Sequence, residues 1–509
     1  MDANIKRNIK LGTIISYATM AVSLILHFFY TPFMLEKVGD DNYGIYSFAT
    51  SFIPYLTLIL GSLAGAYNKY AAIKKSDGEK LDKMNGLFQV SFLILGGITL
   101  LIISTITILL ATGVFTLSAY TFEKQRLITI IFFISSIQTI LLIISRVFVL
   151  HINYNNKFIL LRTTTSFVTL FSSVLCIPFL IAGKGVITIS IVNLTVNFLS
   201  FVVFTIYDLF VLKIKFDFSK VFADKNLLRQ IMSFSGIILL TELSLALNNN
   251  IDKIVLGFFG YDTVVTRYTL ALTIIGYIQA LSSNINLSFV PKVYDNYSSG
   301  KLEENKKYFY SLSNIHSLIW STILGGFLCC GKTFITLWLG TGRQEVYWIT
   351  LCLIFINLLP NTQGICSDME RAANKHINRC AIVLGSTLVN LGLTILFVWL
   401  FGYEYALHAC LLSTFISKTF GETIILSVYN FKVLKINFLE YLKNVAAFLI
   451  IGLLSGALAF AFNYILNGRI PNILLLLATG ILFLGVFALL NFITNKNQTL
   501  KIYSLIKKH

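Results

Sequence analysis

Apolar runs of about 20 residues, the length a helix needs to cross bilayer hydrocarbon, recur about fourteen times along this 509-residue chain, and the polar gaps between them are too short for a soluble domain. Apolar length and polar breaks place helical spans near 10–34, 43–66, 85–112, 127–150, 160–183 and 186–212. A second set is expected near 231–257, 264–288, 308–331, 346–367, 377–401 and 403–428, and a last pair near 442–466 and 471–493. The predicted fold is therefore an all-α polytopic membrane protein.

Six, six and two spans point to a duplicated architecture. We expect an N-lobe over 1–230, a C-lobe over 231–430, and two extra spans with a tail over 431–509. A short internal match supports the register. Leu35, Gly39 and Tyr46-Ser47-Phe48-Ala49 stand between the first two spans, and Leu256, Gly260 and Tyr268-Thr269-Leu270-Ala271 stand between the seventh and eighth. Repeated halves in transporters meet around a binding site and move against one another.

Charge orients the chain. Only 12% of residues are charged, yet the net charge is +17, so the excess must sit in loops and not on a water-facing surface; nucleic acid is not an expected partner. With both termini cytoplasmic, the inner segments collect roughly 29 of the 40 Lys and Arg, as the positive-inside rule requires. Dense examples are Lys69, Lys74, Lys75, Lys80 and Lys83, and Lys213, Lys215, Lys220, Lys225 and Arg229, placed to touch anionic lipid head groups. Met1–Lys10 leads into an apolar run longer than that of a cleaved signal, so this segment is expected to remain as the first span. The seven cysteines lie in or beside apolar segments with no CxxC spacing, so neither a metal site nor any other cofactor is expected.

A charge inside a span is costly unless it faces a cavity or a partner. The cations are Arg146, Lys253, Arg267 and Lys418; the anions are Glu242, Asp252 and Glu422. Glu242, Asn249 and Lys253 follow one another by 7 and 4 residues, which at 100° per residue puts them within about 40° of one helical stripe. Lys418 and Glu422, four apart, are spaced for an intrahelical ion pair. Arg146 and Arg267 lie near span ends, within reach of head groups by snorkelling, and Lys253 has Asp252 and Asn249 as local partners. Asn193, Asn197, Gln279, Asn284, Asn286, Asn357 and Asn390 add neutral polarity, with Tyr30, Tyr46 and Tyr55 as further donors. His27, His316 and His408 read as isolated packing or interfacial residues.

The stretch Tyr30-Thr31-Pro32-Phe33-Met34-Leu35, with Val38, Gly39 and Tyr43-Gly44-Ile45-Tyr46, resembles the opening signature of the polysaccharide transporter family. Asn250-Ile251-Asp252-Lys253-Ile254-Val255-Leu256-Gly257 and Trp338-Leu339-Gly340 are similar to later segments of that family. It holds the Wzx-type O-antigen and capsule flippases of the multidrug/oligosaccharidyl-lipid/polysaccharide exporter superfamily. The resemblance implies a MATE-like pair of lobes in the bacterial cytoplasmic membrane that moves undecaprenyl-diphosphate-linked oligosaccharide to the outer leaflet, with glycan polymerase machinery as a partner. A cationic interior suits that cargo, because guanidinium pairs hydrogen bonds with phosphate oxygens and ammonium supplies a mobile charge. Arg146, Lys253, Arg267, Lys418, Asn249, Asn284 and Tyr46 are the candidate substrate contacts, and Glu242 and Asp252 the candidate acids for H+ or Na+ coupling. Rival readings are a cation-coupled multidrug exporter of the same superfamily, for which twelve spans would be usual, and a membrane glycan polymerase or ligase. The latter requires a long external loop with clustered catalytic residues; the longest outer connection, near 111–126, carries only Glu123, Lys124 and Arg126.

Overall fold

The computed structural model describes residues 3–495 except 59, 61–62, 65–66, 68–77, 115, 217–224, 288 and 374. Lys69, Lys74, Lys75 and Lys220 lie outside the described residues, as do the side chains of Lys80, Lys83, Lys225 and Arg229.

Among the described residues, twelve helices are long and apolar enough to cross a membrane. The two further expected spans fall where part of the chain or of its side chains is outside the description: the second, and the seventh, which coincides with α7 below. Polar backbone groups cannot be left open in hydrocarbon, so helices satisfying their own hydrogen bonds are the stable solution. Large apolar residues such as Leu101, Phe210, Ile481 and Leu489 point outward, where lipid would cover them. Serine, threonine and asparagine are buried instead. Many bond back to the carbonyl four residues earlier, as Thr129, Thr139 and Asn250 do, which removes their polarity from the packing surface.

The chain forms two compact units, Met1–Thr266 and Arg267–His509. The first contains α1 (Ala3–Val38), α2 (Asp40–Thr50), α3 (Gly78–Ala111), α4 (Phe122–Tyr154), α5 (Phe158–Ile181), α6 (Ile187–Ile206) and α7 (Lys225–Phe258). In this unit α4 is central, packing on α2, α3 and α6, while α1 packs along α5. A π-helical segment, Tyr207–Leu212, continues α6. Within this unit α7 docks its far end onto α2: the Cβ that Gly257 lacks would land on the Phe48 ring.

The second unit begins inside α8 (Asp262–Leu287) and continues with α9 (Val290–Ser298), α10 (Leu302–Leu339), α11 (Glu345–Thr362), α12 (Cys366–Ala372) and α13 (His376–Phe401). There follow α14 (Ala406–Lys418), a second π-helical segment (Thr419–Ile425), α15 (Leu426–Leu434), α16 (Phe438–Leu466) and α17 (Asn472–Thr494). The last two spans are tied in through α10, because Gly452 and Gly456 of α16 straddle Gly325 of α10. A Cβ on Gly456 would come 2.8 Å from the Gly325 carbonyl oxygen, and one on Gly325 would meet that of Gly452. Small residues four apart let two membrane helices approach backbone to backbone. Cys329, Ile451, Ala459, Phe483 and Phe487 complete this core.

The internal match has a structural counterpart. Gly39 and Gly260 adopt φ of +81° and +75°, the left-handed conformation in which glycine ends a helix without a Cβ penalty. Leu35, Phe48 and Ala49 are buried in one copy, and Leu256, Leu270 and Ala271 in the other.

Candidate functional site

Glu242, Asn249 and Lys253 share the less buried side of α7. Asn249 is exposed and Glu242 and Lys253 are half-buried, whereas Ser244, Ile251 and Val255, some 180–220° round the helix, are buried. One side of α7 therefore packs and the opposite side carries the polar groups. Lys253 makes no ion pair or hydrogen bond among the described residues; neither Asp252, which is buried, nor Asn249 takes its ammonium.

Arg146 sits on α4, half-buried, and its Nε is enclosed with no hydrogen-bond partner. It makes no ion pair among the described residues, and arginine keeps its charge in proteins. Tyr46 accepts a hydrogen bond from Asn193 Nδ2 at 3.4 Å and stacks on Tyr43.

The other two cations are engaged. Arg267, near the start of α8, pairs with Glu345 at the start of α11. Lys418 does not follow the four-residue spacing to Glu422, because the π-helical segment begins at the next residue and widens the turn. Its ammonium donates instead to Asn357 Oδ1 at 3.0 Å, an oxygen that also faces Gln279 Nε2 at 3.5 Å. Asn357 thus links the buried lysine to Gln279. Asn286 receives His316 Nε2 at 2.8 Å, and Trp320 Nε1 donates to Ser282 Oγ at 3.0 Å, so α8 is stitched to α10 by two polar contacts near Asn284. His316 is a buried, bonded residue and not an isolated one.

A polar cluster that the sequence does not advertise lies where α7 turns into α8. Asp262 accepts from Lys124 Nζ at 2.7 Å and from Tyr120 OH at 3.0 Å, with Asp41 at 3.9 Å from the same ammonium. Thr266 Oγ1 donates to the Asp40 carbonyl at 2.6 Å. Gly44 permits this approach, since any Cβ there would strike the Asp262 backbone. Burial and the Asp262 charge push the Tyr120 phenol up, so it stays protonated and donates.

Two hollows accompany these groups. One of about 460 Å³ lies in the first unit among Phe48, Phe52, Leu56, Ile106, Phe132 and Phe258. The other, about 690 Å³ in the second unit, lies between α10, α11, α14 and α16, lined by Leu324, Phe355, Leu412, Phe415 and Leu453. Both are apolar, and none of the four cations lines either. Among the described residues no group of three or more His, Cys, Asp or Glu could hold a metal ion.

Residues 9–293, more than half of the chain, match the family described as polysaccharide biosynthesis protein. The chain belongs to that family. No curated protein sequence matches it. Among solved structures, this family member is similar to the lipid II flippase MurJ in an inward closed conformation, at 15% identity, covering 96% of this chain and 99% of that one, with a TM-score of 0.71. A multidrug resistance MATE family transporter of the MOP superfamily, inward-facing, is similar at 15% identity over 82% of this chain and 99% of that one, TM-score 0.60. A MOP superfamily transporter from Pyrococcus furiosus is similar at 13% identity over 85% and 96%, TM-score 0.58. At such identities the likeness establishes the fold of this polysaccharide biosynthesis protein, a polytopic all-α membrane fold shared with flippases and exporters.

Proposed function

We propose that this chain is a flippase that carries an undecaprenyl-diphosphate-linked oligosaccharide from the inner to the outer leaflet of the bacterial cytoplasmic membrane by alternating access, with no bond made or broken. The observation that carries the reading is that Arg146 and Lys253 make no ion pair or side-chain hydrogen bond among the described residues, in a member of a polysaccharide biosynthesis family. Two phosphate charges drawn through hydrocarbon would cost at least several kcal/mol. Arg146 offers a planar fork for phosphate oxygens and Lys253 a point charge. Arg267 and Lys418 serve the same cargo once Glu345 and Asn357 release them, with Asn249, Asn284 and Tyr46 as hydrogen-bonding partners for sugar hydroxyls. Glu242 and Asp252 are the acids proposed to exchange H+ or Na+.

The isoprenoid tail needs no polar path. The apolar hollow beside α16 offers it a flank on the membrane side, and membrane lipids and the glycan polymerase machinery are the remaining partners. The basic loops support a cytoplasmic position for both termini, and with it an outer position for the Lys124–Asp262 cluster. A multidrug exporter taking cationic drugs is disfavoured by the sign of Arg146 and Lys253. The test is complementation of a bacterial strain whose own repeat-unit flippase is deleted: the wild-type chain, given a matching glycan locus, restores surface polymer. Drug resistance without polymer would overturn the reading in favour of an exporter.

A further inference from the structure

His151 closes the last turn of α4, and Asp208 is the second residue of the π-helical segment after α6. Their side chains meet at 2.7 Å, His151 Nδ1 to Asp208 Oδ1, with Asp208 wholly buried and His151 nearly so. The Asn155 amide faces His151 Nε2 at 3.2 Å. The same amide donates to the His151 backbone carbonyl at 2.9 Å; in the tautomer with Nε2 accepting, the proton is on Nδ1 and the imidazole is neutral beside an ionised carboxylate. The pair therefore carries one uncompensated negative charge. Its second oxygen, Asp208 Oδ2, has no hydrogen-bond partner among the described residues, and a buried carboxylate left in that state is costly. Taking one proton onto Nε2 converts the pair to a neutral imidazolium–carboxylate couple and turns Asn155 away, since two donors cannot face each other.

Tyr67, whose phenol lies near Asp208, donates to Asn85 Oδ1 at 2.8 Å, and the Tyr154 ring stacks on the imidazole; free phenols ionise only near pH 10. Asp82 stands one turn before Asn85 on α3, and Lys213 and Lys215 follow the π segment. Arg146 is five residues back on α4, about 140° round the helix from His151.

The second unit holds a buried carboxylate with a different partner. There Glu370 of α12 is wholly buried and faces Arg379 at 3.5 Å, beside Asn430 of α15, which follows the second π segment. Its partner is a guanidinium, permanently charged. In the first unit the partner is an imidazole, the side chain whose charge changes in the physiological range.

We propose that His151 and Asp208 form a proton-binding site, and that its occupancy sets how α4 is held against the π-helical end of α6. The experiment is the pH dependence of deuterium exchange at histidine C2, read by mass spectrometry on the full chain in lipid nanodiscs. Exchange at the His151 C2 position is expected to depend on pH, with a midpoint that falls by at least one unit, a tenfold loss of proton affinity, in Asp208→Asn and stays near the wild type in Asp208→Glu. The protection factor of the backbone amides over 207–214, which is exchange corrected for the intrinsic pH dependence of free amides, is expected to change across the same midpoint in the wild type and to be constant with pH in His151→Gln. A midpoint unmoved by Asp208→Asn, no titration of His151 in the wild type, or equal pH dependence in His151→Gln overturns the proposal. The readout needs no cargo, so its failure is distinct from failure of the function proposed above.

Discussion

Lys124 reaches from the start of α4 to Asp262 at the start of α8, a hydrogen-bonded ion pair of 2.7 Å between residues 138 apart. Asp262 is only 3% exposed while Lys124 is 39% exposed, so the two partners are not equivalent. Removing the lysine strands a buried carboxylate on Tyr120 alone; removing the carboxylate releases an ammonium to solvent or to Asp41.

Lys124→Ala is therefore expected to destabilise the purified protein more than Asp262→Asn. The difference should be about 1–2 kcal/mol, below the 3–5 kcal/mol of a fully buried pair because water screens the lysine. Thermal unfolding of both variants in detergent measures it, and equal losses would show that the cluster is held by something other than this charge pair.

A second consequence concerns the buried lysine of α14. Asn357→Leu leaves the Lys418 ammonium without its acceptor and should cost about 2–3 kcal/mol, as an unsatisfied buried charge does. Lys418→Met should cost less. The double variant should recover most of the loss, since neither partner is then stranded. Additive losses in a double-mutant cycle of thermal stability would mean the two side chains are not coupled.

The glycine contact between α10 and α16 sets a third expectation. Gly452→Leu cannot be accommodated against the Ser321 backbone, 2.6 Å from the missing Cβ, and should separate the last two spans from α10 with a loss of more than about 2 kcal/mol, an overpacking cost. Gly480→Ala, with nothing within 4 Å, is the control expected to stay within about 0.5 kcal/mol. Monodispersity and unfolding temperature of the two variants distinguish them.

What could be read from the residues alone follows from the range of each interaction. Span number and the stripe on α7 are local periodicities, so Glu242, Asn249 and Lys253 could be placed on one face by counting. Gly39 and Gly260 could be paired because each ends a helix before a similar run. Partners distant in sequence could not be found in this way. Lys418 reads as an ion pair with Glu422 as long as the helix is assumed to keep α geometry; the π segment that breaks the spacing has no sequence signature, and Asn357 lies 61 residues away. His151 and Asp208 fall at span ends, where a polar residue reads as interfacial, and 57 residues separate them. Gly44 and Asp262 carry no mark of their contact except the glycine itself.

The central claim is that Arg146 and Lys253 carry the diphosphate. Its most direct measurement is flipping of an undecaprenyl-diphosphate oligosaccharide by the full chain in proteoliposomes, comparing the wild type with Arg146→Ala, Lys253→Ala and Arg146→Lys at equal, monodisperse protein. Loss of about 2 kcal/mol of charge-assisted phosphate bonding predicts a fall of roughly thirtyfold for each alanine variant, with Arg146→Lys partly active. Wild-type rates in both alanine variants would contradict the account.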